Sequence, residues 1–174
     1  MKGNLINLQK KILNPISMFL IGLLLGIISI LLDIYTQNLG NIFFQMAIWI
    51  LLGVLISIYS DSKKKAMFNI FPFCIGVLIT YYFVASITKG VYSNIIIIGW
   101  TIFAFCSPIF AYFTWMTKEK GILSKIISIG IIMVSILSSI ILFDNLRIYD
   151  FIIDGLLIYF LFIKKIKRNH SITG

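Results

Sequence analysis

Residues 42–86 read IFFQMAIWILLGVLISIYSDSKKKAMFNIFPFCIGVLITYYFVAS, two long apolar runs joined by a short connector with three consecutive lysines at residues 63–65. A helix rises about 1.5 Å per residue and the hydrocarbon of a bilayer is about 30 Å thick, so a run of about twenty apolar residues crosses it. Both runs are continuously apolar, without the alternation of a barrel strand. The stretch predicts two membrane helices with lysines at the bend between them.

The same pattern continues on both sides of this stretch. Apolar runs predict six membrane helices, at residues 15–32, 42–59, 66–86, 95–115, 122–143 and 148–163. The first run has no small-residue cleavage site after it and ends at Asp33, so it is interpreted as an uncleaved helix rather than a secretory signal. The sixth becomes uninterrupted only after Asp154. The sequence predicts one all-α domain over residues 1–174, a polytopic membrane bundle of six transmembrane helices.

Composition excludes a soluble protein. The 174 residues are 60% hydrophobic and 12% charged, and the mean hydropathy is +1.03. Such a chain has too little polar surface to cover a soluble domain. The net charge of +9 lies in short clusters beside the apolar runs, which indicates membrane flanks rather than a nucleic-acid surface.

The basic residues predict the orientation of the bundle. All but two of the 15 lysines and arginines lie in the two tails or beside the second and fourth connectors, and the exceptions are Lys89 and Arg147. Insertion retains positive segments in the cytoplasm, so both termini are predicted to be cytoplasmic. The abundance of isoleucine, asparagine and lysine suggests an AT-rich bacterial source. The predicted location is therefore a bacterial plasma membrane.

Several aromatic and polar residues fall in one layer of the outer half of the predicted bundle. Besides Asp154 on the sixth helix, they are Gln45, Trp49, Tyr81, Tyr82 and Trp100. An acid in hydrocarbon is costly and normally faces a partner or a cavity. Asp150 shares a helix face with Asp154, and Arg147 lies one turn earlier as a candidate ion-pair partner. We predict an outward-facing pocket for a planar or cationic ligand; the alternative is simple packing, with an interfacial aromatic belt and Asp154 at the headgroups.

Small residues at a spacing of four mark two close-packing faces. Gly22 and Gly26 form a G-x-x-x-G on the first helix, and Ser135 and Ser139 form a similar face on the fifth. Such spacing lets another backbone approach closely. The glycine face predicts a contact either with a partner membrane protein or with a neighbouring helix of the same bundle.

Two prolines interrupt the third and fourth runs at similar predicted depths. Pro72 lies beside Cys74, and Pro108 lies beside Cys106. Proline frees a backbone carbonyl and bends a helix, which either lines a transport path or shapes the bundle. The cysteines are interpreted as inert packing residues.

Motifs for catalysis are missing from the sequence. It contains no H-E-x-x-H, no G-x-S-x-G and no phosphate loop, and the single histidine, His170, follows the last apolar run. We predict that the protein is not an enzyme and needs no metal or cofactor.

Three segments carry a resemblance to known proteins: residues 22–33, residues 41–53 with Trp49, and residues 99–115 with Trp100. They resemble small multi-pass membrane proteins of clostridia and related Firmicutes, which implies no particular activity. The chain is more loosely similar to the substrate-binding components of energy-coupling-factor transporters, six-helix bundles with a small-x-x-x-small contact on the first helix. Gly22 and Gly26 stand where that family typically has alanines.

Two functions are therefore expected. The first is a solute-binding or transport-related subunit, which a ligand would stabilise against heat. The alternative is a non-transporting interaction protein, an immunity or regulatory factor that would co-purify with a membrane partner through the glycine face of the first helix.

Overall fold

A computed structural model describes residues 12–36, 46–87, 94–143 and 146–166. These ranges hold the helices α1 (Pro15–Tyr35), α2 (Met46–Tyr59), α3 (Lys63–Ile87), α4 (Asn94–Met116), α5 (Ile122–Phe143) and α6 (Ile148–Ile158), the last continued by a π-helical turn (Tyr159–Ile163). They contain no strand. The predicted all-α class is confirmed.

Four of the helices are long and apolar enough to cross a membrane. The qualifying segments are Pro15–Tyr35, Lys63–Val84, Ile97–Met116 and Ile122–Ile141. α2 is described over 14 residues, and residues 42–45 of its predicted run lie outside the described residues. α6 and its π-helical turn together cover the sixth predicted run.

Local capping explains where two of the helices begin. The Asn14 Oδ1 atom accepts a hydrogen bond of 2.9 Å from the amide of Ser17, and Pro15 occupies the first turn, where its missing amide costs nothing. The Ser62 hydroxyl accepts from the Lys65 amide at 3.2 Å. α3 therefore begins at Lys63, three residues before the predicted apolar run.

The end of α1 differs from the prediction. Asp33 was expected to end the helix, but α1 continues through it to Tyr35. Asp33 is exposed, and the helical hydrogen-bond pattern continues past it, since the Thr36 amide donates to the Leu32 carbonyl. Hydropathy locates the apolar core of a helix, whereas caps and backbone hydrogen bonds decide where it ends.

α2 is the central helix of the bundle. It packs against α3, α4, α5 and α6, and α1 lies outside along α3 in the most extensive helix pairing. Buried Ile58 of α2 and Leu157 of α6 belong to one apolar cluster, and Met18 of α1 and Phe73 of α3 belong to another.

The glycine face of α1 is filled by α3. A Cβ atom added to Gly22 would lie 2.2 Å from the Phe73 carbonyl oxygen, and one added to Gly26 would lie 2.0 Å from the Thr80 Oγ1 atom. Thr80 Oγ1 also donates a hydrogen bond of 2.9 Å to the Leu23 carbonyl. Of the two predicted contacts, the structure shows the one within the bundle, and a partner protein would find this face covered.

Lysine-bearing segments gather at one end of the bundle, here called the lysine end. Lys63 Nζ, after the second connector, forms a 3.1 Å ion pair with Glu119 in the fourth connector. Lys118 Nζ donates a hydrogen bond of 2.9 Å to the carbonyl of Lys164 in the C-terminal segment. The start of α3, the segment after α4 and the segment after α6 therefore lie at the same end of the bundle.

A buried asparagine joins further helices at the lysine end. Asn69 of α3 is 1% exposed, and its Nδ2 atom donates to the Leu13 carbonyl at 3.3 Å and to Ser60 Oγ at 3.0 Å. Trp115 Nε1 of α4 donates to the Ser60 carbonyl at 2.9 Å. These bonds tie the start of α1 and the end of α2 to α3 and α4.

Candidate functional site

An elongated cavity of about 550 Å³ lies between α2, α3, α4 and α5 and is here called the central cavity. Its wall extends along α2 from Met46 to Ser57 and along α4 from Trp100 to Thr114. At 1.5 Å per residue these stretches are roughly 17 to 21 Å long. The cavity follows the bundle axis from the level of the predicted aromatic layer toward the lysine end.

The aromatic residues of the predicted pocket line this cavity. Trp49, Tyr81, Tyr82 and Trp100 all belong to its wall, although they come from three helices. The Trp49 ring lies 6.4 Å from that of Phe73, and the two tyrosine rings meet edge to face at 5.5 Å. The structure thus brings four of the predicted site residues together. Gln45, the fifth residue of the layer, lies outside the described residues.

Two hydroxyl groups of the wall are engaged by their own helices. The Ser57 hydroxyl donates to the Gly53 carbonyl, and the Ser107 hydroxyl donates to the Ala104 carbonyl, each at 2.7 Å. Pro108 cannot donate to the Ala104 carbonyl as an ordinary residue would, so Ser107 supplies the missing donor. No charged side chain is among the described residues that line the cavity. Its wall therefore favours an apolar occupant.

Small residues create the space in the cavity. A Cβ added to Gly130 of α5 would meet no atom within 4 Å, and one added to Gly53 of α2 would meet only Ile70 Cδ1, at 3.7 Å. Buried Ala104 and Ala111 of α4 line the same volume. Sequence reasoning missed these four small residues, because small side chains in membrane helices more often signal close packing.

The two proline segments meet at one level of the bundle. Cys74, two residues after Pro72, lies within hydrogen-bonding reach of Ser107, which precedes Pro108. Both Cys74 and Ser107 line the central cavity. The prolines are internal to α3 and α4, and the segments around them form part of the cavity wall.

The two acids predicted for the pocket lie elsewhere. Ser135 Oγ of α5 donates to Asp154 Oδ1 at 2.6 Å, and Ser139 Oγ donates to Asp150 Oδ1 at 3.1 Å. These two pairs are here called the Ser–Asp ladder. Asp150 is fully buried and Asp154 is 8% exposed. Neither is among the described residues that line the central cavity, so the structure does not bring the two acids together with the aromatic wall.

Asp150 also stabilises the start of α6. Its Oδ2 atom accepts from the Arg147 amide at 2.7 Å, while its own amide donates to the Arg147 carbonyl at 3.0 Å. The Arg147 guanidinium donates to the Tyr149 hydroxyl at 2.6 Å. The predicted contact between Arg147 and Asp150 is thus made through the backbone. A carboxylate in the first turn satisfies an otherwise unpaired helix amide.

Acids, histidines and cysteines do not converge elsewhere in the ranges that the structure describes. No group of three or more such side chains there could hold a metal ion. His170 lies outside these ranges.

Comparisons with known protein families, with curated proteins and with solved structures find no match to this chain.

Proposed function

We propose that this chain is an integral membrane protein that binds a small, largely apolar molecule in the central cavity, as a solute-binding or transport-related subunit. The observation that carries the proposal is the cavity itself, with its volume of about 550 Å³ and its aromatic wall. Ligand pockets typically have volumes of about 300 to 1,000 Å³ and mostly apolar walls.

The exterior of the bundle supports a place in the membrane. Large apolar side chains are exposed along several helices, among them Ile16, Phe83, Ile102, Ile141 and Phe151. Exposing such a surface to water costs free energy, whereas contact with lipid chains does not. We propose that all six helices cross the bilayer of a bacterial plasma membrane, with the lysine end and both termini in the cytoplasm.

The cavity wall favours a neutral ligand. The expectation of a planar or cationic ligand rested on the aromatic wall together with the Asp154 carboxylate, and that carboxyl group bonds to Ser135 instead. Aromatic faces and small apolar residues remain as the recognition surface. The alternative, a non-transporting interaction protein, loses its predicted docking face because α3 covers Gly22 and Gly26.

Filling the cavity should abolish ligand binding. Gly130→Leu places a side chain in the cavity without a backbone clash, since no atom lies within 4 Å of the added Cβ. In detergent, apolar and aromatic compounds should raise the unfolding temperature of the wild type. At a free concentration of one hundred times Kd, such a compound adds about 2.7 kcal/mol to the free energy of unfolding. The Gly130→Leu variant should lose this rise.

Gly99→Leu is the matched control for that experiment. Gly99 is also a helical glycine with no atom within 4 Å of an added Cβ, but it is exposed and does not line the cavity. Its ligand-induced shift should equal that of the wild type. Equal shifts in both variants, or no stabilising compound in the panel, would contradict the proposed function.

Cysteine labelling should show the proposed orientation. Ser62 precedes α3 at the lysine end, and Ser86 lies near the opposite end of the same helix. With Cys74 and Cys106 replaced by alanine, an impermeant maleimide on intact cells should label Ser86→Cys but not Ser62→Cys. Ser62→Cys should react only after permeabilisation. The reverse pattern would show that the bundle is inverted.

A further inference from the structure

Part of the wall of the central cavity is exposed on one side of the bundle. Among the described residues of its wall, only three are exposed: Phe110 and Phe113 of α4, at 50% and 47%, and Val134 of α5, at 54%. The exposed part of the wall that these three residues make up is here called the side opening. They lie on two neighbouring helices, so the opening faces sideways from the bundle axis.

Sparse packing between α4 and α5 explains the opening. α4 packs far more extensively against α3 than against α5. On the α5 side, Gly130 leaves the space beside its backbone empty. The surface of α4 beside the opening carries exposed Ile109. In a membrane, such an opening faces lipid chains.

The shape of the cavity restricts what can fill it. The volume of about 550 Å³ extends along a wall that is roughly 17 to 21 Å long. The space is therefore elongated. A charged solute would lose its hydration there without gaining a charged partner, since no charged side chain is among the described residues of the wall.

We infer that the occupant is a single hydrocarbon chain of a lipid-like molecule, which enters the cavity from the bilayer through the side opening. The inference rests on the proposed function and names its ligand class. The chain lies along the bundle axis against the aromatic wall, and its polar group stays outside the cavity, because no charged side chain is among the described residues of that wall.

Photolabelling in vesicles tests the ligand class. The probe is a fatty acid with a diazirine at the end of its chain, and the labelled residues are identified by mass spectrometry. Lipid contact alone should label exposed Ile102, Phe105 and Ile109 of α4. Entry into the cavity should also label Ala104 and Ala111, which are 2% exposed on the same helix and line the cavity.

Competition separates the two sets of labelled residues. Excess unlabelled fatty acid should reduce the labelling of Ala104 and Ala111 at least fivefold and leave Ile102 and Ile109 almost unchanged. A phospholipid with the same diazirine shows whether the chain can come from a bilayer lipid as well as from a free acid. If neither probe labels the buried pair, the hydrocarbon-chain assignment is wrong.

The route of entry is tested at the rim of the side opening. Val134→Trp narrows the opening. Met133→Trp adds the same side chain at the preceding position, which is 55% exposed and does not line the cavity. The initial rate of Ala104 labelling should fall at least threefold in Val134→Trp only. Should Val134→Trp fail to fold, Phe113→Ala widens the opening and should raise the rate.

The outcomes separate this inference from the proposed function. Equal initial rates in the two tryptophan variants, or an unchanged rate in Phe113→Ala, would exclude entry through the side opening. A second outcome is that Ala104 and Ala111 are not labelled, while a compound still raises the unfolding temperature and Gly130→Leu abolishes this rise. The cavity would then be a binding site for a different ligand. Absence of both would remove the proposed function as well.

Discussion

A Gly22→Ala variant should unfold at a lower temperature than the wild type, although alanine is the better helix former. Its Cβ would lie 2.2 Å from the Phe73 carbonyl oxygen and 3.0 Å from the carbonyl carbon. Both are backbone atoms, so α1 and α3 must separate. Overpacking of this kind costs about 1 to 3 kcal/mol, and here it acts on the most extensive helix pairing.

Thermal unfolding in detergent, followed by circular dichroism, measures the effect. Gly99→Ala is the control, because an added Cβ there meets no atom within 4 Å. It should stabilise the protein by about 0.8 to 1 kcal/mol through helix propensity alone. If Gly22→Ala were as stable as Gly99→Ala, the close contact between α1 and α3 would be wrong.

Ser135→Ala should also destabilise the protein strongly. It removes the hydroxyl that donates to Asp154 at 2.6 Å and leaves a largely buried carboxyl group without this donor. An unsatisfied buried polar group costs about 1 to 3 kcal/mol, and more when it is charged. Asp154→Leu should be costly for the complementary reason.

The double variant gives the decisive comparison. Replacing both partners by apolar groups removes the unsatisfied atoms, so Ser135→Ala with Asp154→Leu should be less unstable than the two single effects predict, by about 0.5 to 3 kcal/mol. Ser138→Ala is the control, since its hydroxyl donates only to the Ser135 carbonyl of its own helix in the described contacts. Strict additivity would exclude the ladder contact. Because Asp154 does not line the cavity, any ligand-induced thermal shift should survive in Asp154→Leu.

Helix positions were predictable from the sequence because their signal is local. Continuous apolar runs locate each helix, and the Asn14-Pro15 pair marks the start of α1 as a cap followed by a proline. The starts that depend on caps outside the apolar runs were missed, as at Ser62. The sequence could not decide whether Gly22 contacts a helix of the same bundle or a partner protein. Its contact residue, Gly76 of α3, is recognisable only once the two helices are paired.

The sequence predicted the depth of the candidate site residues in the bundle, but not which way each helix turns them. Counting along the helices placed Trp49, Tyr81 and Trp100 in one layer, and the structure finds them around one cavity. Asp154 was assigned to the same layer, but its helix turns it toward Ser135 of α5. The rotation of a helix about its axis is decided by its packing partners, which depth does not reveal. The equal spacing of the two serines and the two acids was the available signal.

The Ser–Asp ladder has a consequence for biosynthesis. Its two Ser–Asp pairs have the same spacing on antiparallel helices. A shift of α6 along α5 by one turn would therefore keep at most one pair and leave one serine and one acid without a partner. The ladder therefore specifies the register of the last two helices. If α6 crosses the bilayer as proposed, its two buried acids would lie in hydrocarbon without their serine partners whenever α6 left the translocon alone. We expect α5 to remain beside the translocon until α6 has been synthesised, and the two helices to enter the bilayer together.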